Sequence, residues 1–169
     1  MDLLIRPMTG DDVEVLVAAF ALLGWPGKDA AQFRGYVDEG TAGTHSWLVA
    51  VVDGKVAGYG GLEWTSGYAP FAEDGVPQVV DLNVLPSWRN RGIAGRLLDA
   101  LEARAGERSD VIGLGVGLYA DYAAAWRLYL RRGYLPDGAG VVYQEVPVAP
   151  GTTVRLDDDA EMKLTRRLR

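Results

Sequence analysis

The feature that most constrains the fold is a strand that runs into a glycine-bearing turn and then into a long helix. Residues 78–84 have the composition of a strand and are followed by Pro86, which cannot donate a hydrogen bond to a sheet. A helix is predicted from about Gly92 to Ala105, because apolar residues recur there at helical spacing: Ile93, Leu97, Leu98 and Leu101. The intervening residues, 89–95, therefore open a helix shortly after a strand.

The rest of the chain alternates between strands and helices. Further strands are predicted at residues 3–6, 47–52, 56–64, 111–118 and 160–165, and within 134–146 after a turn at 136–138. Further helices are predicted at about 11–23, 29–38 and 121–132, with Thr9 or Asp11 and then Asp121 as N-caps, while residues 65–75 are predicted to form a loop. The pattern predicts a single domain, residues 1–169, of the α/β or α+β class. Its mixed twisted sheet is expected to have about six or seven strands, flanked by about four helices.

Composition excludes several kinds of site. The chain has no cysteine and one histidine, His45, which excludes disulfides, Cys- or His-rich metal sites and a thiol nucleophile, so no metal is expected. A net charge of −6 argues against broad affinity for nucleic acid or anionic membranes. Neither a signal peptide nor a membrane-spanning run is visible, and we therefore expect a cytoplasmic protein.

The turn at residues 89–95 has the features of a phosphate site. The first amides of a helix have no partner inside it, and together with the helix dipole they attract anions. Gly92 lets a bulky phosphate approach the backbone, Ala94 and Gly95 keep the next positions small, and Arg89 and Arg91 add positive charge. The sequence matches neither a Walker loop nor the three-glycine dinucleotide fingerprint. An ordinary helix N-terminus, with glycine needed for packing, is the structural alternative.

These residues resemble the GNAT acetyltransferases, which carry Arg/Gln-x-x-Gly-x-Gly/Ala at this junction. Arg89, Gly92 and Ala94 match the pattern in register. The resemblance implies the GNAT acyl-CoA N-acyltransferase fold over nearly the whole chain, with acetyl-CoA as co-substrate and no metal. It also implies coenzyme contacts along the strand end and the turn, at Leu82, Asn83, Val84, Arg89, Asn90, Arg91, Gly92, Ile93, Ala94 and Gly95.

Residues 111–118 read Val-Ile-Gly-Leu-Gly-Val-Gly-Leu, which places three glycines on one face of a strand: Gly113, Gly115 and Gly117. Three glycines weaken a strand, but they clear room beside the backbone. We expect either a packed helix or a ligand to occupy the space beside these glycines.

A second segment, residues 125–134, resembles the GNAT pattern Ala-x-x-Leu-Tyr-x-x-x-Gly-Phe/Tyr. In the family this tyrosine commonly lies near the coenzyme sulfur and protonates the departing thiolate, which implies that role for Tyr129. A core aromatic with a satisfied hydroxyl is the alternative. Tyr122 stands where many members have an asparagine that contacts the pantetheine arm, so a coenzyme contact there would involve an aromatic ring.

The resemblance implies transfer of an acetyl group to a primary amine of a small molecule or a protein. With no cysteine to carry the acyl group, direct attack in a ternary complex is expected. A backbone N–H of Leu82–Val84 would contact the thioester oxygen, as in the family. Asp81 and Glu63 are both candidates for the general base, each with an ion-pair role as the alternative, and a water chain is a third route.

Two other functions fit the same sequence: a non-catalytic acetyl-CoA or CoA sensor module, and a protein-interaction domain without coenzyme. The acceptor is not identified. Several side chains could line an amine pocket or belong to core and loop surface: Trp25, Phe33, Tyr36, Tyr68, Phe71, Glu73 and Asp74. The sequence also leaves open whether the chain forms a homodimer.

Overall fold

Strands and helices alternate along the whole chain, and the computed structural model describes residues 1–169. The strands are β1 (Leu3–Pro7), β2 (His45–Val52), β3 (Lys55–Glu63), β4 (Gln78–Val84), β5 (Val111–Gly117), β6 (Leu135–Tyr143), β7 (Val146–Pro147) and β8 (Ala160–Arg167). The α-helices are α1 (Asp12–Ala21), α2 (Ala30–Ala42), α3 (Ala69–Glu73), α4 (Ile93–Ala105) and α5 (Ala123–Arg131). Short 3-10 turns, Pro86–Trp88 and Ala120–Tyr122, precede α4 and α5. None of the helices combines the length and the apolar character needed to cross a membrane.

The strands form one mixed sheet in the order β1-β2-β3-β4-β5-β8-β6-β7. The predicted fold class is therefore confirmed, but the sheet has eight strands and the chain five α-helices, more than the six or seven and four that were expected. The additional elements are the two-residue β7 and the five-residue α3. Both are too short to show a period in the sequence.

The chain divides into two compact units, and β4 contributes to both. The first unit comprises Met1–Glu63 and Asp81–Ala103, and the second comprises Trp64–Val80 and Arg104–Arg169.

In the first unit, β1, β2 and β3 form an antiparallel meander with the register Ile5↔Ala50 and Val49↔Tyr59. Asp53 and Gly54 join β2 to β3 with φ of 49° and 78°, the left-handed conformation that a two-residue hairpin turn requires. Phe20 of α1 and Phe33 of α2 are buried, and their rings lie 5.6 and 5.4 Å from that of Tyr59. The two helices therefore pack on β3.

In the second unit, β4 and β5 are parallel and pair at two positions, Gln78↔Gly113 and Val79↔Leu114. Strand β8 lies between β5 and β6 and is antiparallel to both. The segment 136–138, predicted as a turn, instead lies within β6, where the register against β8 shifts between Pro136 and Val141. A register shift gives the same local sequence signal as a turn, because both use residues that disfavour regular pairing.

The glycine face of β5 is filled by side chains of the chain itself. A Cβ at Gly113 would overlap the ring of Phe71 from α3, and a Cβ at Gly117 would overlap the ring of Tyr122. The position of Gly115 is closed in the same way by the carboxylate of Glu161. Close packing therefore accounts for the three glycines.

The second unit contains one fully buried lysine. Lys163 on β8 is fully buried, and its ammonium lies 2.6 Å from the carboxylate of Glu161 and 2.7 Å from that of Glu145. The ammonium also lies 5.2 Å from the ring centre of Tyr68, and Gln78 accepts from it at 3.5 Å. Burial raises the pKa of Glu161, although the hydrogen bond from Lys163 acts in the opposite direction.

The N-terminus of α1 is held differently from the prediction. Asp11 makes no capping hydrogen bond; instead the carboxylate of Asp12 accepts from the backbone N–H of Thr9 at 2.8 Å. The same carboxylate accepts two hydrogen bonds from Arg6 of β1, at 2.7 and 2.8 Å. Burial alone would raise the pKa of Asp12, but the hydrogen bonds from Arg6 and Thr9 bring it below its ordinary value. The other predicted cap, Asp121, lies within a 3-10 turn, and α5 begins at Ala123.

We expect Asp12→Asn to lower the free energy of unfolding by about 1.5–3 kcal/mol at pH 7, the range for hydrogen bonds to charged groups. Because the folded-state pKa of Asp12 is depressed, its contribution is complete above the unfolded value of about 3.9 and is lost as the pH falls through the folded value. Urea unfolding of both proteins at several pH values checks this. A difference in stability that stays constant from pH 7 to pH 3 would contradict the prediction.

Candidate functional site

The turn between β4 and α4 places a left-handed glycine at the start of a helix. Asn90 and Gly92 have φ of 59° and 78°, and the carbonyl of Gly92 accepts from the N–H of Arg96 at 3.1 Å. A Cβ built on Gly92 would meet no atom within 4 Å, so packing does not account for this glycine. The left-handed backbone requires a glycine here, and the open space beside it is free for a ligand. The first amides of α4 have no acceptor within the helix.

Two arginines of the turn are held by neighbouring groups of the first unit. Arg89 donates through Nε to the carbonyl of Val84 at 3.1 Å, and its guanidinium lies 5.8 Å from the ring centre of Trp25. The guanidinium of Arg91 lies 5.0 Å from the ring centre of Trp88. Both arginines are exposed, so their charge is available at the mouth of the turn.

Of the other predicted turn residues, one is buried and three are exposed or partly exposed. Ile93 is 2% exposed and fixes the first turn of α4 in the core. Asn90 is exposed, and Ala94 and Gly95 are partly exposed. The small residues Gly92, Ala94 and Gly95 are therefore at least partly exposed next to the charged Arg89 and Arg91, an arrangement suited to an anion with a bulky body.

The last residues of β4 lie close against β3. A Cβ on Gly58 would overlap the carbonyl of Asn83, and a Cβ on Gly60 would overlap the side chain of Leu82. Just before this stretch, Asp81 adopts φ of 46°, which is unusual for a residue within a strand. Leu82, Asn83 and Val84 are all partly exposed.

Asp81 is the centre of a hydrogen-bonded cluster that was not predicted. Its carboxylate accepts from Lys28 Nζ at 2.7 and 2.8 Å, from the hydroxyls of Tyr36 and Tyr59 at 2.7 and 2.6 Å, and from Asn83 Nδ2 at 2.7 Å. Lys28 also donates to the Tyr59 hydroxyl at 2.7 Å. Sequence reasoning missed Lys28 because it lies in an irregular loop with no motif, and it missed Tyr59 because its strand pattern is that of a core residue.

The protonation states in this cluster follow from the same contacts. Burial alone would raise the pKa of Asp81, but the charge and hydrogen bonds of Lys28 and the two tyrosine hydroxyls lower it below its ordinary value. Burial and the neighbouring carboxylate raise the pKa of both Tyr36 and Tyr59. At neutral pH the cluster therefore contains an ionised carboxylate and protonated phenols.

Aromatic rings surround the cluster. Tyr36 stacks on Trp47 with 3.6 Å between ring centres, and Tyr59 contacts Phe20 and Phe33. Of the aromatic residues considered as acceptor-pocket candidates, Trp25, Phe33 and Tyr36 belong to this group. The others, Tyr68 and Phe71, belong to a separate buried cluster of the second unit with Val76 and Val142.

Glu63, the second carboxylate candidate, is directly opposite His45 in the β2–β3 ladder. The imidazole Nε2 lies 3.9 Å from the Glu63 carboxylate, and Nδ1 lies 3.6 Å from that of Glu39. The side chain of Glu63 is 25% exposed. It therefore combines access to solvent with a titratable neighbour.

The two tyrosines predicted on or near α5 lie in the second unit. Tyr129 is buried, its ring centre lies 5.9 Å from that of Tyr134, and burial raises its pKa to about 12. Tyr122 covers Gly117 and donates to Asp158 at 2.8 Å, and Tyr119 donates to the same carboxylate oxygen. Tyr129 thus keeps its proton at neutral pH, and the Tyr122 hydroxyl is already engaged.

Comparisons with known proteins match the chain to acetyltransferases. The sequence profile described as "Acetyltransferase (GNAT) family" matches residues 12–134. A mycothiol acetyltransferase from Amycolatopsis mediterranei is 40% identical over 86 residues, which make up 51% of this chain and 25% of that protein. The matched segment is thus a quarter of that relative's length.

Solved structures of low sequence identity share the fold. An N-acetyltransferase from Staphylococcus aureus Mu50 superimposes with a TM-score of 0.73 at 14% identity, covering 100% of both chains. The PaiA N-acetyltransferase of Thermoplasma acidophilum, solved in complex with coenzyme A, gives a TM-score of 0.69 at 12% identity over 99% of both chains. Since the family profile covers most of the sequence and both motifs, the chain belongs to the GNAT acetyltransferase family.

Proposed function

We propose that residues 1–169 act as one catalytic domain that transfers the acetyl group of acetyl-CoA to a primary amine of a small molecule or a protein. The observation that carries this proposal is the turn at residues 89–95, where Gly92 is left-handed, has no atom within 4 Å of its Cβ position and stands at the start of α4. Membership of the GNAT family supports the acetyl donor, and a relative with the same fold was solved with coenzyme A. The enzyme works in the cytoplasm.

In this proposal the coenzyme pyrophosphate binds at the start of α4. The amides of Ile93, Ala94 and Gly95 donate to its oxygens, aided by the helix dipole. Arg89 and Arg91, already oriented by Trp25 and Trp88, supply the opposite charge. Tyr122 contacts the pantetheine arm through its ring, because its hydroxyl is bound to Asp158.

The chemical step is direct attack of a neutral amine on the thioester carbon. A backbone N–H of Leu82–Val84 stabilises the negative charge that develops on the thioester oxygen. Tyr129 is the proton donor to the departing thiolate, because burial raises its pKa to about 12 and the phenol is therefore protonated at neutral pH.

We assign the general base to Glu63 in preference to Asp81. The Asp81 carboxylate already accepts five hydrogen bonds and its pKa is lowered, so it is a weak proton acceptor. Glu63 is partly exposed and has an imidazole beside it. A carboxylate of this kind can take the amine proton and pass it to solvent.

A direct test is to incubate the protein with acetyl-CoA and a panel of amines, following thiol release and identifying acetylated products by mass spectrometry. Acetylated product from at least one primary amine is expected. Coenzyme binding without thiol release from any amine would overturn the proposal in favour of a sensor.

Gly92→Val tests the pyrophosphate site. A branched side chain would stand where the phosphate approaches, and coenzyme affinity should fall at least about tenfold, or 1.4 kcal/mol. Gly43→Val is a matched control, because Gly43 has φ of 77°, is open on its Cβ side and caps α2 elsewhere. Calorimetry should show a large loss for Gly92→Val alone; equal affinities for the two folded variants would exclude the turn as the binding site.

Tyr129→Phe tests the proton donor. The ring still fills its buried position, so coenzyme affinity should change little, while kcat should fall by about 10²- to 10⁴-fold. Tyr143→Phe removes another tyrosine hydroxyl of the second unit, one bonded to Asp157 at 3.1 Å, and serves as the control. Turnover within threefold of wild type in Tyr129→Phe, with chemistry rate-limiting, would leave Tyr129 as a core aromatic.

Glu63→Gln tests the general base. We expect kcat/KM at pH 7 to fall by about 10²- to 10⁴-fold, with loss of the acidic limb of the pH–rate profile. Glu39→Gln, which changes the other carboxylate beside His45, should keep that limb. A Glu63→Gln enzyme with an unchanged pH profile would show that the proton leaves by another route.

A further inference from the structure

The Asp81 carboxylate, with the three side chains that are fixed around it, forms what we term the ammonium seat: Asp81, Tyr36, Tyr59 and Asn83. A carboxylate in this environment needs a cation, because an uncompensated charge is costly to remove from water. The seat receives the ammonium of Lys28, whose side chain is 12% exposed and bonds both carboxylate oxygens.

The seat and its occupant differ in how they are held. Tyr36 lies on α2, Tyr59 on β3 and Asn83 on β4, so the donors around Asp81 belong to regular elements. Lys28 lies in the loop between α1 and α2, next to Gly27 with φ of 74°. A lysine ammonium on a four-carbon stem can leave such a seat while the scaffold stays in place.

The surroundings of the seat suit an alkyl ammonium ion. The Lys28 ammonium lies 5.4 Å from the ring centre of Tyr59, and Tyr36 stacks on Trp47 beside it. Aromatic faces attract a cation and also cover the apolar chain that carries it. The seat thus recognises a primary ammonium with an aliphatic body, which is the chemistry of the lysine side chain itself.

A group held in this seat is not the one that is acetylated. An attacking nitrogen must be neutral, whereas a close carboxylate favours the charged form of an amine. Asp81 directly precedes Leu82–Val84, the stretch to which the proposed function assigns the thioester oxygen. An acceptor with two amino groups can therefore place one at Asp81 and present the other to the thioester.

We propose that the ammonium seat binds a second, non-reacting ammonium group of the acceptor, an alkyl diamine or a similar dication, and that Lys28 fills the seat until the acceptor replaces it. This inference rests on the proposed function for the acetylation step. Binding at the seat can be measured without that step.

The binding test compares Lys28→Met with Lys28→Arg and wild type, using 1,5-diaminopentane as the probe and 1,5-pentanediol as its uncharged analogue. Removing the tethered competitor raises the fraction of open seats, so Lys28→Met should bind the diamine at least about tenfold more tightly than wild type by calorimetry. Lys28→Arg keeps a cation in the seat and should resemble wild type. None of the three proteins should bind 1,5-pentanediol. Equal or weaker diamine binding by Lys28→Met would overturn the proposal.

The kinetic test uses the wild-type protein and does not depend on the folding of Lys28→Met. Wild type should acetylate 1,5-diaminopentane with a kcat/KM at least about tenfold above that for pentylamine, which has the same chain and lacks the second ammonium. Asp81→Asn should remove this preference mainly by raising KM for the diamine. Equal kcat/KM for the two amines in wild type would overturn the proposal. If neither amine is acetylated, the proposed function is contradicted. The diamine affinity of Lys28→Met relative to wild type then decides whether the ammonium seat binds a diamine.

Discussion

A charge that is largely removed from water needs a partner, and in the first unit the partly buried carboxylate of Asp81 is such a charge. The Asp81 carboxylate draws hydrogen bonds from α2, β3, β4 and the loop that joins α1 to α2. Two of these donors lie at the predicted acetyl-transfer residues Leu82–Val84. Asn83 belongs to that stretch, and Tyr59 lies on β3 between Gly58 and Gly60, which pack against it. The same neutralisation that stabilises the unit thus shapes the surface on which an acceptor is proposed to bind.

In the second unit the buried charge that needs partners is positive. The ammonium of Lys163 is fully buried and pairs with Glu145 and Glu161, while Gln78 and the Tyr68 ring complete its surroundings. These partners come from β4, β8, the turn before β7 and the segment before α3. Unlike Lys28, Lys163 lies on a strand and has no exposed surface, which makes it a structural cation and not a replaceable one.

Much of the fold was predictable because its signals are local. The strand Gln78–Val84 was predicted with the observed bounds, and α4 was predicted to within one residue at its start. Each has a hydrophobic period or a breaker within a few residues. The predictions that failed concern short or irregular features: α3 inside a proposed loop, β7, the capping of α1 by Asp12 and the register shift in β6. In those places long-range packing, such as Phe71 over Gly113, overrides weak local preference.

The sequence by itself determined the family, the mixed sheet and the turn at residues 89–95, because the glycine-bearing junction and the tyrosine helix are contiguous patterns. Only the tertiary structure decided the surroundings of Asp81. Lys28 and Tyr59 are 53 and 22 residues away from it in the chain, and no local pattern relates them. A partly buried ion pair such as Lys28–Asp81 forms only where packed elements bring its members together, so no local sequence pattern predicts it.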